Sequence, residues 1–340
     1  MPLEFGIASS HAPALFSYTA KGWESTWERF RGDAPQPPEI ADEGPARVEE
    51  YIRRAAAGFT ALHDRLAAFA PDVLLVVAGD QDEWFDAAHL PNLMIYAGDE
   101  DVVGYHNFGA DDEEPRLLPW EHPERFGVRL RVDRTVAESL LRGLVNEGFE
   151  IAISRQLPAY EGRRKAPHAL VRPLPLILGN ADIPIVPIMM KTVERTPAGL
   201  TGERCLELGR AIERVCRRFP QRIAIYGSGG MSHDPGGPRA CWVDEPLDRW
   251  FLEQLAAGTP ERLGALFTFR SAATDSGTGE LRTWLPVAAA MDAVMPGVRA
   301  EYVEYFAARK STAGCGWVAW PEVRRSPEHT TVLSKGVLVS

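Results

Sequence analysis

Apolar positions along this chain follow two rhythms. Short, nearly continuous runs predict strands: LEFGIA (3–8), DVLLVVA (72–78), LMIYA (93–97), VRLRV (128–132), FEIAIS (149–154), IPIVPIMM (183–190) and RIAIYG (222–227). Between them, apolar residues recur at helical spacing over 45–69, 134–147, 201–217, 245–256, 259–267 and 280–293. Strands separated by helices predict an α/β fold, with a central mixed, mostly parallel sheet flanked by helices. Several runs lack the apolar–polar alternation of a half-exposed strand, as expected when helices cover both faces of a sheet. The alternation of elements continues across two Pro- and acid-rich stretches, 32–44 and 109–124, which therefore read as surface loops. We expect one domain over residues 1–320 and a polar tail over 321–340.

Composition narrows the partners. Of 340 residues 45% are hydrophobic, enough for a large core, and the formal net charge is −10. That charge argues against nucleic acid or an anionic membrane surface as the main partner. No run approaches the roughly 18–20 apolar residues of a membrane span. The opening MPLEFGIASSHAP lacks the basic and apolar regions of a signal peptide. The four cysteines, Cys205, Cys216, Cys241 and Cys315, form no C-x-x-C pair. A reduced, cytoplasmic protein without a thiolate zinc site is expected.

In open α/β sheets ligands gather at the carboxyl ends of strands. The first strand delivers Ser9-Ser10-His11 there, the second Gly79-Asp80-Gln81-Asp82-Glu83, and RIAIYG delivers Ser228-Gly229-Gly230-Met231-Ser232-His233. We expect the first two tips to neighbour each other on adjacent strands. His168 lies in RRKAPHALVRPLP at a loop-to-helix boundary, and Glu280 follows the Gly-rich loop TDSGTG. Each has an ordinary explanation. A strand-end histidine often only bonds its neighbours, glycines serve any tight turn, and an acid at a helix start suits the helix dipole. GSGGMSH also lacks the serine elbow of a hydrolase and the lysine of a phosphate loop. Taken together, two histidines and a carboxylate match the donor set of non-haem Fe(II) oxygenases.

SSHAPAL, GSGGMSH and SGTGELRTWL, in that order, resemble the class III extradiol ring-cleavage dioxygenases, nearest the catalytic subunit of protocatechuate 4,5-dioxygenase. The similarity runs from Leu3 to about Trp320. It implies Fe(II) held by His11 and Glu280, His233 as acid–base catalyst, and His168 as a histidine on the substrate side. It places Lys310, Ser311 and Thr312 near the ring substituent. The family's second histidine ligand falls on Gln81. The surrounding Asp80-Gln81-Asp82-Glu83 is similar to a Gly-Asp-Asp-Gln-x-Glu-type tip of a subgroup. Gln81 is therefore expected to face the metal, with Glu83 ligating directly or fixing the Gln81 amide. An amide oxygen binds iron more weakly than imidazole, so another divalent metal also fits.

The resemblance implies insertion of both atoms of O2 into a catechol-type aromatic. A carboxylate on the ring would pair with Lys310 or the basic run 163–165. A homodimer or a small helical partner subunit would fit the family. The alternatives are a metal-dependent hydrolase or decarboxylase on the same fold, and a non-catalytic partner subunit.

Overall fold

The computed structural model describes residues 3–323, apart from 86–87, 158, 161–162, 165, 193–198, 270 and 272. The tail expected over 321–340 lies, beyond residue 323, outside the described residues. Eight strands form one sheet: β1 (Leu3–Ser9), β2 (Val73–Asp80), β3 (Leu93–Tyr96), β4 (Ala152–Ser154), β5 (Ile185–Lys191), β6 (Ile223–Ser228), β7 (Tyr302–Ala308) and β8 (Ala313–Ala319). Their order is β7-β8-β1-β6-β2-β5-β3-β4. β1, β6, β2 and β5 run parallel. β8 and β3 pair antiparallel on either side of that block.

The near-continuous apolar runs are explained by two cores. Successive side chains of a strand face opposite ways. Leu75 and Val77 of β2 thus join one core, and Leu74, Val76 and Ala78 the other. The first core packs against α3 (Arg134–Asn146), α4 (Gly202–Cys216), α5 (Glu245–Ala257) and α6 (Trp284–Val294). The second packs against α1 (Ala20–Phe30) and α2 (Pro45–Phe69). Helix starts are set locally. Asp133, Thr201 and Asp244 each accept a hydrogen bond from a backbone N–H three residues on, and Pro45 opens α2. Pro187 is tolerated inside β5 because the pairing with β3 covers only Ile188–Met190.

Three expectations change. The first two tips are not on adjacent strands, because β6 lies between β1 and β2. VRLRV is not a strand of the main sheet: Gly127–Leu130 pairs with Val102–Tyr105 in a separate ribbon, and only Val132 reaches the sheet, in a single parallel bridge to Ile185. The stretches 259–267 and 280–293 open as 3-10 turns, Pro260–Ala265 and Ser276–Thr283, before α6 begins. The pattern also missed α1, β7 and β8. AGCGWVA in β8 has too little apolar bulk to stand out, yet all seven residues are buried by neighbouring chain. Among the described residues no helix is long and apolar enough to cross a membrane. All four cysteines are free and buried.

Candidate active site

The topology brings the polar ends together. The carboxyl ends of the four parallel strands share one edge of the sheet. Because β8 runs the other way, its start, with Ser311 and Thr312 just before it, lies at that same edge, and Ala313 bridges to His233. The result is a cavity of about 260 Å³, with His11, Gln81, Glu83, His168, His233 and Glu280 in its wall.

Each histidine there is held at one nitrogen and leaves the other for the cavity. His11 Nδ1 lies 2.9 Å from Ser228 Oγ, whose own hydroxyl donates to the Ala169 carbonyl. The Ser228 oxygen must therefore accept, which puts the His11 proton on Nδ1. His168 Nδ1 donates to Glu83 Oε2 at 2.9 Å, and His233 Nδ1 donates to the Met231 carbonyl at 2.6 Å. With Nδ1 carrying the proton, each Nε2 is a bare lone pair in the neutral imidazole. His11 Nε2 is buried without a hydrogen bond, 3.3 Å from Glu280 Oε2. A lone pair facing a carboxylate oxygen across that gap repels it unless a cation or proton lies between. Ligand atoms of His11, His168 and Glu280 all lie within 4.8 Å of one another. Two imidazoles and one carboxylate so placed could hold a divalent metal ion.

Glu280 is fixed from several directions. The Gln81 amide donates to Oε1 and the Gly230 N–H to Oε2, and His233 Nε2 stands 3.6 Å from Oε1. Burial would raise the Glu280 carboxyl, but His11 and His233 beside it hold it well below the ordinary carboxylate range. Burial pushes His11 down despite the attraction of Glu280. His233 is pushed the other way: burial opposes its charge, but Glu280 and the Met231 carbonyl prevail. The two glycine motifs have a steric reason. A Cβ on Gly230 would come within 2.4 Å of His233 Cε1, and one on Gly277 within 2.1 Å of its Nε2. Both glycines are bare so that the imidazole can lie against the backbone.

The β2 tip divides its side chains between the cavity and the surrounding chain. Gln81 and Glu83 face the cavity, while Asp82 pairs with Lys191 at 2.9 Å. Asp80 folds the turn, its carboxylate accepting the N–H groups of Glu83, Trp84 and Phe85. Glu83 does not fix the Gln81 amide. It clamps His168 instead, taking the backbone N–H at 3.0 Å as well as Nδ1. That clamp was illegible in the sequence, since the partners are 85 residues apart. Burial would raise Glu83, but His168 brings it below the usual carboxylate value.

Of the residues expected near the ring substituent, Ser311 and Thr312 line the cavity and Lys310 does not. Lys310 Nζ is 2.6 Å from Glu24, and it stacks over the Trp27 ring. The side chains of the basic run 163–165 lie outside those described. Arg172, which sequence reasoning passed over, is in the cavity wall.

The family described as the catalytic LigB subunit of aromatic ring-opening dioxygenase matches residues 35–315. Similar curated proteins include the 2,3-dihydroxyphenylpropionate/2,3-dihydroxicinnamic acid 1,2-dioxygenase of Rhodococcus globerulus, 28% identical over 52% of this chain and 48% of that protein. A protein of the same name from Pseudomonas putida is 28% identical over 58% of this chain and 53% of its own length. This chain thus spans about half the length of the curated relatives it matches. A solved structure of an uncharacterized Escherichia coli K12 protein covers 77% of this chain at 13% identity with a TM-score of 0.45, too loose a match to add to the reading. The matched stretch reaches from α1's far side through the β2 tip, His168, His233 and Glu280, and on that ground the chain belongs to the LigB family of aromatic ring-opening dioxygenase catalytic subunits.

Proposed function

We propose that this chain is a non-haem, Fe(II)-dependent extradiol dioxygenase, opening a catechol-type ring with both atoms of O2. One observation carries the reading: the unsatisfied His11 Nε2 facing Glu280 across 3.3 Å, with His168 completing the donor set. The named activity of the similar proteins supports it.

In this proposal His11, His168 and Glu280 hold the metal. His168 supplies the imidazole that the β2 tip lacks, and Gln81 orients Glu280 rather than ligating. Bound Fe(II) supplies Lewis acidity and an electron path between the ring and dioxygen. The chain's own residues do the rest. His233, in its neutral form, offers the Nε2 lone pair to the proton of the substrate's second hydroxyl and returns it to the opened product. Its Nδ1–H stays on the Met231 carbonyl, so the ring keeps one orientation. Phe30 and Pro235 form apolar wall that limits water.

The test is oxygen uptake by anaerobically prepared, Fe(II)-loaded protein. We expect one O2 consumed per catecholic acid, with a yellow ring-fission product. Metal-dependent turnover without oxygen uptake would instead identify a hydrolase or decarboxylase. Gln81→Ala should weaken metal retention by about tenfold, the low end for a residue that orients a ligand. Complete metal loss in that variant would make Gln81 a ligand.

A further inference from the structure

The cavity contains a cation that the chemistry above does not use. Arg172 sits between the short helix His168–Val171 and the helix Pro173–Leu178. It is partly buried in the wall beside the donor cluster. Among the described residues its guanidinium has no hydrogen-bond or ion-pair partner. The other cations around this edge are committed: Lys191 to Asp82 at 2.9 Å, Arg29 to Asp111 at 2.7 Å, Arg309 to Glu245 at 3.0 Å and Lys310 to Glu24 at 2.6 Å.

The nearby carboxylates are committed as well. Glu83 is taken by both N–H groups of His168, and Asp111 by Arg29 and Arg116. Arg172 feels the fields of Glu83, Asp111 and Glu280, but it makes no direct bond to any of them. Burial pushes it down to about 10, so it remains charged at neutral pH while poorly solvated. A half-desolvated guanidinium with unused N–H donors gains strongly from a carboxylate, which it can grip with two parallel hydrogen bonds. At about 260 Å³ the cavity falls just below the usual span of small-molecule sites, about 300–1,000 Å³, which suits one substituted ring.

We propose that Arg172 anchors a carboxylate carried on the aromatic ring or its short side chain, so that this site selects acidic catechols over neutral ones. The assignment rests on the ring-cleavage reading above. It replaces Lys310 in the role of substrate anchor and leaves Ser311 and Thr312 as neutral donors on the wall. Charge, not size, would set the preference.

Two acid–amide pairs isolate that charge: 3,4-dihydroxybenzoate with its amide, and 3-(2,3-dihydroxyphenyl)propionate with its amide. We expect at least one acid to exceed its amide by about tenfold or more in kcat/KM. In Arg172→Gln that ratio should fall about 10–100-fold, the span of a charge-assisted hydrogen bond, with the loss in KM rather than kcat. Arg172→Lys should keep more of the ratio than Arg172→Gln. The proposal is overturned if neither acid is preferred, or if acid and amide lose equally in Arg172→Gln, which marks a structural role. Calorimetric binding of 3-phenylpropionate and benzoate to the metal-loaded protein separates the two readings. Arg172-dependent binding without ring opening of any catechol would leave the anchor standing and remove the dioxygenase assignment. Ring opening with no effect of Arg172 on any acid would do the reverse.

Discussion

The loops after β6 and β2 end on neighbouring strands and do similar work by different means. Each is folded by a buried aspartate. After β2, Asp80 belongs to the loop itself and gathers three of its N–H groups. After β6, the aspartate comes from a helix: Asp248 of α5 accepts from the N–H and the hydroxyl of Ser232, and from Tyr305. The β6 loop carries its own imidazole, His233, pressed between two glycines. The β2 loop carries none, and its Glu83 holds His168 from another segment. A strand end thus needs only a rigid turn and one correctly placed side chain. Whether that side chain is the working group or its holder is open to the sequence.

If His233 works through its position, the largest effect should come from crowding it. A Cβ on Gly277 would fall 2.1 Å from Nε2. Gly277→Ala should cut turnover by about 10²–10⁴-fold, the range for losing a positioned acid–base group, with metal content unchanged. Metal loss in that variant would mean that the ring also supports the donor cluster.

The second effect concerns the β6 loop's aspartate. Burial raises Asp248 to about 6. A carboxyl whose folded pKa is raised binds its proton more tightly when folded. Its contribution to stability is complete below the unfolded value, near 4, and is lost as pH rises through about 6. Relative to Asp248→Asn, the wild type should lose about 3 kcal/mol between pH 4 and 7, taking about two pK units at 1.36 kcal/mol each. Denaturant unfolding of the two proteins across that range checks the slope. A constant difference would show that Asp248 does not change protonation on folding.

The third prediction tests the borrowed imidazole. Glu83→Gln keeps the shape of the clamp but removes its charge. Metal affinity should fall about 10–100-fold, as for other residues that orient a ligating histidine, read by metal analysis after dialysis against a weak chelator. Ser228→Ala, which releases His11 Nδ1, should cost less, because His11 is also placed by its own strand. If Ser228→Ala costs more than Glu83→Gln, the contrast between a strand-borne and a clamped histidine is wrong.

Much of this molecule can be read from local pattern. The apolar runs of β1, β2, β5 and β6 and the spacing of α2, α3, α4 and α5 are strong one-dimensional signals, because strands covered on both faces and long amphipathic helices must look that way. The polar strand ends mark where a site will form, since parallel strands put their carboxyl ends on one edge. His11, His233 and Glu280 follow from that rule and from motif order. Tertiary structure alone decided how the tips are arranged. β6 inserts between β1 and β2, a choice set by long-range pairing that leaves no trace in either strand. It alone joined Glu83 to His168 and committed Lys310 to Glu24, because those bonds depend on which distant segments the packed cores bring within about 3 Å. Arg172 is the clearest case. In the sequence it is one arginine among many near a basic run, and only burial beside already paired neighbours makes it an unspent charge in the cavity.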